Sequence, residues 1–200
     1  TYNDGKNAEQ HYEAWRQNLL HYFRHRAKNG VAAEFGSVTY AGVYLQPIFV
    51  IAENCEDNKL KETAEKFLDL YFADVAQEIL NGVRGGAKVR MYKKITMFEA
   101  KYDKLLYYNH ILTGYPEKIK LTPPTDCFAA VMNSYRLPDY VKSLMVSSDQ
   151  KGCYTYKTNR LAEGTHSFKK GEYAPGYGAA PLYHPVVPSR FLRTSYVTPD

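Results

Sequence analysis

Two hundred residues, 44% hydrophobic and 24% charged, are enough for one domain with a real core; a chain of this size buries roughly 70% of the surface its unfolded form exposes. A mean hydropathy of −0.49 excludes a disordered chain and a membrane span, since the longest apolar stretch, Tyr40–Ala52, is interrupted by Gly42, Gln46 and Pro47. The net charge of +5 permits an anionic partner, but no Lys/Arg run, zinc-finger spacing or RNA-recognition signature points to nucleic acid.

The first three quarters read as helices. Asn7 with Gln10 resembles a capping box. It opens a segment in which Trp15, Leu19, Tyr22, Phe23 and the stem of Arg26 follow the 3.6 period, ended by a left-handed cap at Asn29-Gly30. Ser37 can cap a second helix reaching about Asn54. It is apolar nearly all round, which predicts an inner, buried helix, and Pro47 should kink it. Asp57 starts a third helix, with Leu60, Ala64, Phe67, Leu68, Tyr71, Val75, Ala76 and Ile79 as one stripe and Asn81-Gly82 as its stop. Thr96 and Glu99 form a capping box for a fourth helix that ends at Gly114. Pro123-Pro124-Thr125 starts a fifth, to about Asn133, and Pro138 is the first residue of a short sixth, through about Ser147.

After Gly152 the texture changes. Residues 151–200 hold five of the ten prolines, five glycines and six of the 19 tyrosines. Cys153–Thr158 and His166–Lys169 suit short strands, and Gly171–His184 is a Gly/Pro/Tyr loop. A loop this long is rare inside an isolated compact domain, which suggests a functional surface segment or a piece packed on a part of the protein outside this chain. The expected organisation is therefore a helical-hairpin region over 1–150 and an irregular segment over 151–200.

Antiparallel hairpins joined by short loops place alternate connections at the same end. Counting helices brings Glu34, Arg84, Lys88, Arg90, Tyr92, Tyr135 and Arg136 to one end. The loop Arg84–Tyr92 is the most informative stretch. Gly85-Gly86 permits close backbone approach, and Arg84, Lys88 and Arg90 around it suit a carboxylate or sulfate. The same residues also suit a Gly-rich turn with solvated cations, and the spacing is not that of a phosphate-binding loop. Glu34 fits a general acid raised by burial or a structural bridge to Arg84 or Arg90. Arg136 and His184 are further contact candidates.

Cys55, Cys127 and Cys153 have no metal or redox spacing, and their odd count allows at most one internal disulfide. His21 and His25 share a helix face, but Arg24 and Arg26 beside them oppose a cation. No metal or cofactor is expected. Tyrosine stacks on sugar faces while its hydroxyl hydrogen-bonds, so the tyrosine excess with a basic balance favours an acidic glycan. Each tyrosine taken singly also fits a half-buried helix interface.

The pattern Glu34-Phe-Gly-Ser37-x-x-Tyr40, the helix Asp57–Leu80, Gly82-Val-Arg-Gly-Gly86 with Arg90 and Tyr92, Tyr135-Arg136-Leu137-Pro138 and the terminal Thr194–Asp200 resembles the catalytic-side loops of bacterial secreted (α/α)-toroid proteins, of the heparinase-like and alginate-lyase-like polysaccharide lyases. The resemblance implies an all-α fold of antiparallel hairpins, an incomplete toroid with about half of six hairpins and an irregular C-terminal segment. It implies a secreted or periplasmic location and further domains of the same protein as possible partners. The implied chemistry is β-elimination on an acidic, uronate-containing polysaccharide or oligosaccharide. Arg84 or Arg90 would neutralise the uronate, with Lys88, Arg136 and His184 as further contacts, and Tyr92 or Tyr135 would act as acid or base. A hydrolase would need two carboxylates, of which Glu34 is one candidate; a non-catalytic glycan-binding or scaffold module needs neither.

Overall fold

Helix α1 (Ala8–Asn29) starts where its capping box is expected, the Asn7 side chain accepting from the Gln10 amide and the Gln10 side chain answering to the Asn7 amide. Gly30 ends it at φ +109° and ψ +125°, an extended positive-φ turn where a left-handed helical cap was expected. Helix α2 (Tyr40–Asn54) is primed by Ser37, whose hydroxyl accepts from the Tyr40 amide at 2.9 Å. Helix α3 (Asn58–Ala76) is capped by Asp57, which accepts from the Leu60 amide at 2.9 Å. The computed structural model describes residues 3–32, 37–80, 83–85, 103–115, 127–147, 151–160 and 191–198. Over these the chain is predominantly helical, with short antiparallel pairings.

The third helix ends earlier than Asn81-Gly82. The chain leaves it at Gln77 and forms a small ladder, β1 (Ile79–Leu80) against β2 (Val83–Arg84). The Gly85 amide closes this hairpin onto the Glu78 carbonyl at 2.8 Å. Helix α4 (Lys104–Thr113) is capped by Asp103 and stopped by Gly114 in the left-handed conformation. The expected Thr96–Glu99 cap lies outside the described residues. Helix α5 (Phe128–Val131) is one turn, about 6 Å long. Helix α6 (Asp139–Val146) begins directly after Pro138.

The core forms where α2 and α3 meet. Phe23 of α1 packs on Phe67 of α3 at 5.2 Å, so α1 and α3 run alongside each other in one direction. Phe49 stacks on Tyr108 of α4 with ring centroids 5.7 Å apart and planes 3° from parallel. The Lys104 amide meets the Val38 carbonyl at 3.2 Å, so α4 starts at the end where α2 starts. No helix among the described residues is long and apolar enough to cross a membrane.

The C-terminal segment is not wholly irregular. Strand β3 (Tyr154–Arg160) pairs antiparallel with β4 (Phe191–Val197), seven residues against seven, from Tyr154 opposite Val197 to Arg160 opposite Phe191. The first of these strands was legible in the sequence; the second was not, because its partner lies thirty residues away in the chain. His166–Lys169 and Gly171–His184 lie outside the described residues. The ladder is tied to the end of α3: the Tyr154 hydroxyl donates to the Gln77 carbonyl at 2.6 Å, and Tyr156 donates to Asp74. Lys151 caps the same end, its Nζ donating to the carbonyls of Ala76 and Ile79 at 2.6 Å each, where the helix dipole favours a cation.

Half-burial pushes the Lys151 amine down to about 8 from the ordinary 10.5. The folded state therefore holds fewer protons than the unfolded state between those values, so this residue's contribution to stability rises with pH across that window. Below it both states are protonated and the contribution is flat. Lys151→Met is expected to flatten that rise, checked as the difference in urea midpoint between parent and variant across the window.

Candidate functional site

Of the residues expected at one end, the three that the structure describes, Arg84, Tyr135 and Arg136, are not gathered there. Glu34, Lys88, Arg90, Tyr92 and His184 lie outside the described residues. Arg84 sits beside the start of α4, while Tyr135 and Arg136 sit at the opposite end of the helices. There Ser134 donates from its amide and hydroxyl to Glu53 at 2.6 and 2.8 Å, and the Asn133 side chain donates to the Phe49 carbonyl at 2.6 Å. The expectation failed on α5: a single turn cannot cross the bundle, so residues 133–136, which follow it, lie at the end where α2 finishes.

The side chains themselves are committed. Arg84 is buried, with Nε 3.3 Å from Asp103 Oδ2 and Nη1 3.8 Å from Glu78 Oε2. Ser195 of β4 donates to Glu78 Oε1 at 2.5 Å, so the cluster also ties down the C-terminal ladder. Tyr135 is buried and donates to Asp69 at 2.6 Å. Burial, and then Asp69, push its hydroxyl above the ordinary tyrosine range, which makes it a hydrogen-bond donor and a poor base at neutral pH. Arg136 donates to the carbonyls of Ser134 and Tyr135 at 3.0 Å each. Among the described residues no cluster of His, Cys, Asp and Glu could hold a metal, and all three cysteines are free.

What the tertiary structure leaves open is a face of α1 and α2. Trp15, the one tryptophan, is 63% exposed and Tyr12 is 54% exposed. With Leu19 and the exposed Tyr22 they form a ridge at i, i+3, i+7 and i+10, about a quarter turn from the core-facing Leu20 and Phe23. The sequence reading put Trp15, Leu19, Tyr22 and Phe23 on one apolar stripe; of these Phe23 faces the core, and Trp15 and Tyr22 face water. The signal was present: one helix cannot aim residues 15 and 20 at the same neighbour, since five residues turn it by about 140°.

Between the two helices runs a groove of about 500 Å³, lined by Leu19, Tyr22, Tyr40, Tyr44, Pro47 and Ile51, with buried Tyr71 beneath. Its polar atoms are few. Tyr44 donates to the Val31 carbonyl, and burial, then Tyr22, push its hydroxyl above the ordinary range. Arg26 lies one turn beyond Tyr22 on the ridge and donates from Nε and Nη2 to the Gly30 carbonyl at 2.9 and 2.8 Å. A ridge of rings with a cation at its end is suited to stacking and charge pairing, with no nucleophile among its residues. No protein-family model, no curated protein and no solved structure matches the chain.

Proposed function

We propose that the protein is a glycan-binding module for an acidic, uronate-containing polysaccharide, and that the sugar stacks along the α1 ridge. The observation that carries this reading is the exposure of Trp15 next to Tyr12. Aromatic faces left in water on one side of a helix pack well against the C–H faces of pyranose rings, while the Tyr hydroxyls take hydrogen bonds. Trp15 and Tyr22 are seven residues apart, about 10.5 Å along the helix and nearly in line, close to one disaccharide of an extended β-1,4-linked chain. Arg26 at the end of the ridge and the +5 net charge favour a carboxylated sugar. The incomplete (α/α) toroid and the secreted or periplasmic location go with this reading as proposals on the sequence pattern. Only the hairpin arrangement draws support from the fold, in which α1 and α3 run against α2 and α4. Binding is preferred over β-elimination by Arg84 with Tyr135 because those two lie at opposite ends and both are engaged within the fold.

The single tryptophan is its own reporter. Oligouronates are expected to shift Trp15 fluorescence to the blue, saturably, and less so at high salt. Trp15→Ala, followed by calorimetry, should weaken binding about tenfold or more, or ~1.4 kcal/mol and above for an aromatic anchor. No response to any uronate would overturn the reading. A new ultraviolet absorbance from an unsaturated uronate would replace it with β-elimination by Arg90 and Tyr92. New reducing ends without that absorbance would replace it with hydrolysis at Glu34.

A further inference from the structure

The groove between α1 and α2 has two unlike ends. Its floor is Phe23 and Tyr71, both buried. Its α2 wall runs from Tyr40 to Ile51, about 16 Å along the helix. Toward Pro47 and Ile51 the walls are apolar. At the other end the polar groups converge on two consecutive carbonyls. Arg26 donates from Nε and Nη2 to the Gly30 carbonyl, and the Tyr44 hydroxyl donates to the Val31 carbonyl. The Tyr22 hydroxyl lies beside that of Tyr44. Among the described residues no Asp or Glu lines the groove, so the charge at this end is that of Arg26.

Volume and lining select the kind of molecule that fits. About 500 Å³ is within the range of small-molecule sites. Tyr22, Phe23, Tyr40, Tyr44 and Tyr71 surround it with aromatic rings, and a ring placed among rings gains more than the area it buries. A sugar would lose the hydration of its hydroxyls there, because the few polar atoms sit at one end and the Tyr44 proton is already given to Val31. A neutral hydrocarbon would make no use of the cation. A guanidinium has five N–H groups, of which the Gly30 carbonyl takes two, and a carboxylate is the planar acceptor that suits the rest.

We propose that this groove is a binding site for a small aromatic carboxylate, its ring held between α1 and α2 above Tyr71 and its carboxylate on Arg26, with the Tyr22 hydroxyl as a second donor. The site goes beyond the glycan reading. The two share Tyr22 and Arg26 and part at Tyr12 and Trp15, which do not line the groove.

Calorimetry of the full 200-residue chain with 2-naphthoate tests it. Binding at one site is expected, with a Kd on the order of 100 μM for a ligand of this size and a negative heat-capacity change from apolar burial. 2-Naphthalenemethanol keeps the ring and lacks the charge; it should bind about tenfold more weakly. Decanoate keeps the charge and lacks the ring; it should bind about fivefold more weakly. Arg26→Gln should cost about tenfold for the acid and leave the alcohol unchanged. Val43 stands on the rim of the groove and is 63% exposed, so Val43→Glu does not threaten the fold. It should weaken the acid severalfold by like charge and leave the alcohol unchanged. Trp15→Ala should leave 2-naphthoate binding within about twofold while it weakens oligouronates, so failure of either reading is visible without the other. Absence of saturable 2-naphthoate binding up to several millimolar overturns the proposal. So does an alcohol that binds as tightly as the acid, because the cation then has no part. Decanoate at equal affinity overturns the aromatic class. Loss of 2-naphthoate binding in Trp15→Ala puts the acid on the ridge, and the proposal falls.

Discussion

Arg84→Ala is expected to destabilise the protein by about 3–5 kcal/mol, the range found when one member of a buried ion pair is removed and its partners are left without compensation. The expectation follows from where the cation sits. Its guanidinium lies between Asp103, 3.3 Å away, and Glu78, 3.8 Å away, and all three side chains are almost fully buried. Three separate pieces of chain meet there: the β1–β2 hairpin carries Glu78 and Arg84, α4 begins after Asp103, and Ser195 of β4 donates to Glu78. Losing the cation therefore loosens the start of α4 and the seat of the β3–β4 ladder together. Urea unfolding checks the magnitude, and hydrogen exchange over Tyr154–Arg160 and Phe191–Val197 checks the coupling. Adding Glu78→Gln and Asp103→Asn removes the stranded charges. The triple variant is then expected to be less destabilised than Arg84→Ala alone, as a double-mutant cycle would show. A cost of Arg84→Ala below about 1 kcal/mol would mean that the cluster is solvated.

Phe49→Ala should cost about 3–5 kcal/mol, because the ring sits where three helices and the segment before α6 converge and the hole it leaves cannot close from one side. Phe49 is fully buried. It stacks on Tyr108 at 5.7 Å, meets Tyr135 edge-on at 5.9 Å and contacts Phe72 at 6.2 Å. Its carbonyl also accepts from the Asn133 side chain, so the segment leading to α6 is fixed to the same point of α2. That backbone bond survives the substitution, which makes the expected loss a packing loss. Val131→Ala, at an exposed position of α5, is the control and should stay within about 0.5 kcal/mol of the parent. Equal urea midpoints for the two variants would show that the aromatic cluster does not hold α2 to α4.

Local signals in the sequence were reliable where the chemistry is local. Asn7 with Gln10, Ser37, Asp57, Gly114 and Pro138 each mark a helix boundary through bonds made within a few residues, and each boundary is found at that place or within a few residues of it. The α3 stripe from Leu60 to Ala76 is buried as its period requires. The candidate site was far less legible. Arg84 read either as an anion contact or as a solvated cation in a glycine-rich loop, because nothing nearby in sequence shows Asp103 closing over it nineteen residues later. Tyr135 looked available for chemistry because its acceptor, Asp69, is sixty-six residues away.

By itself, then, the sequence determined the helical class, the caps, the core stripe of α3, the polarity of the net charge and the first strand of the C-terminal ladder. Periodicity and capping are properties of neighbours along the chain. Only the tertiary structure decided which end each connection occupies, since that depends on α5 being one turn long. Only it decided which of two apolar ridges on α1 meets the core and which faces water, and which residues of α2 are buried. Burial is decided by what packs opposite a residue, and what packs opposite is chosen by contacts far away in sequence. For that reason the exposed Trp15, on which the binding is proposed, emerged from the packed molecule and not from the residue pattern.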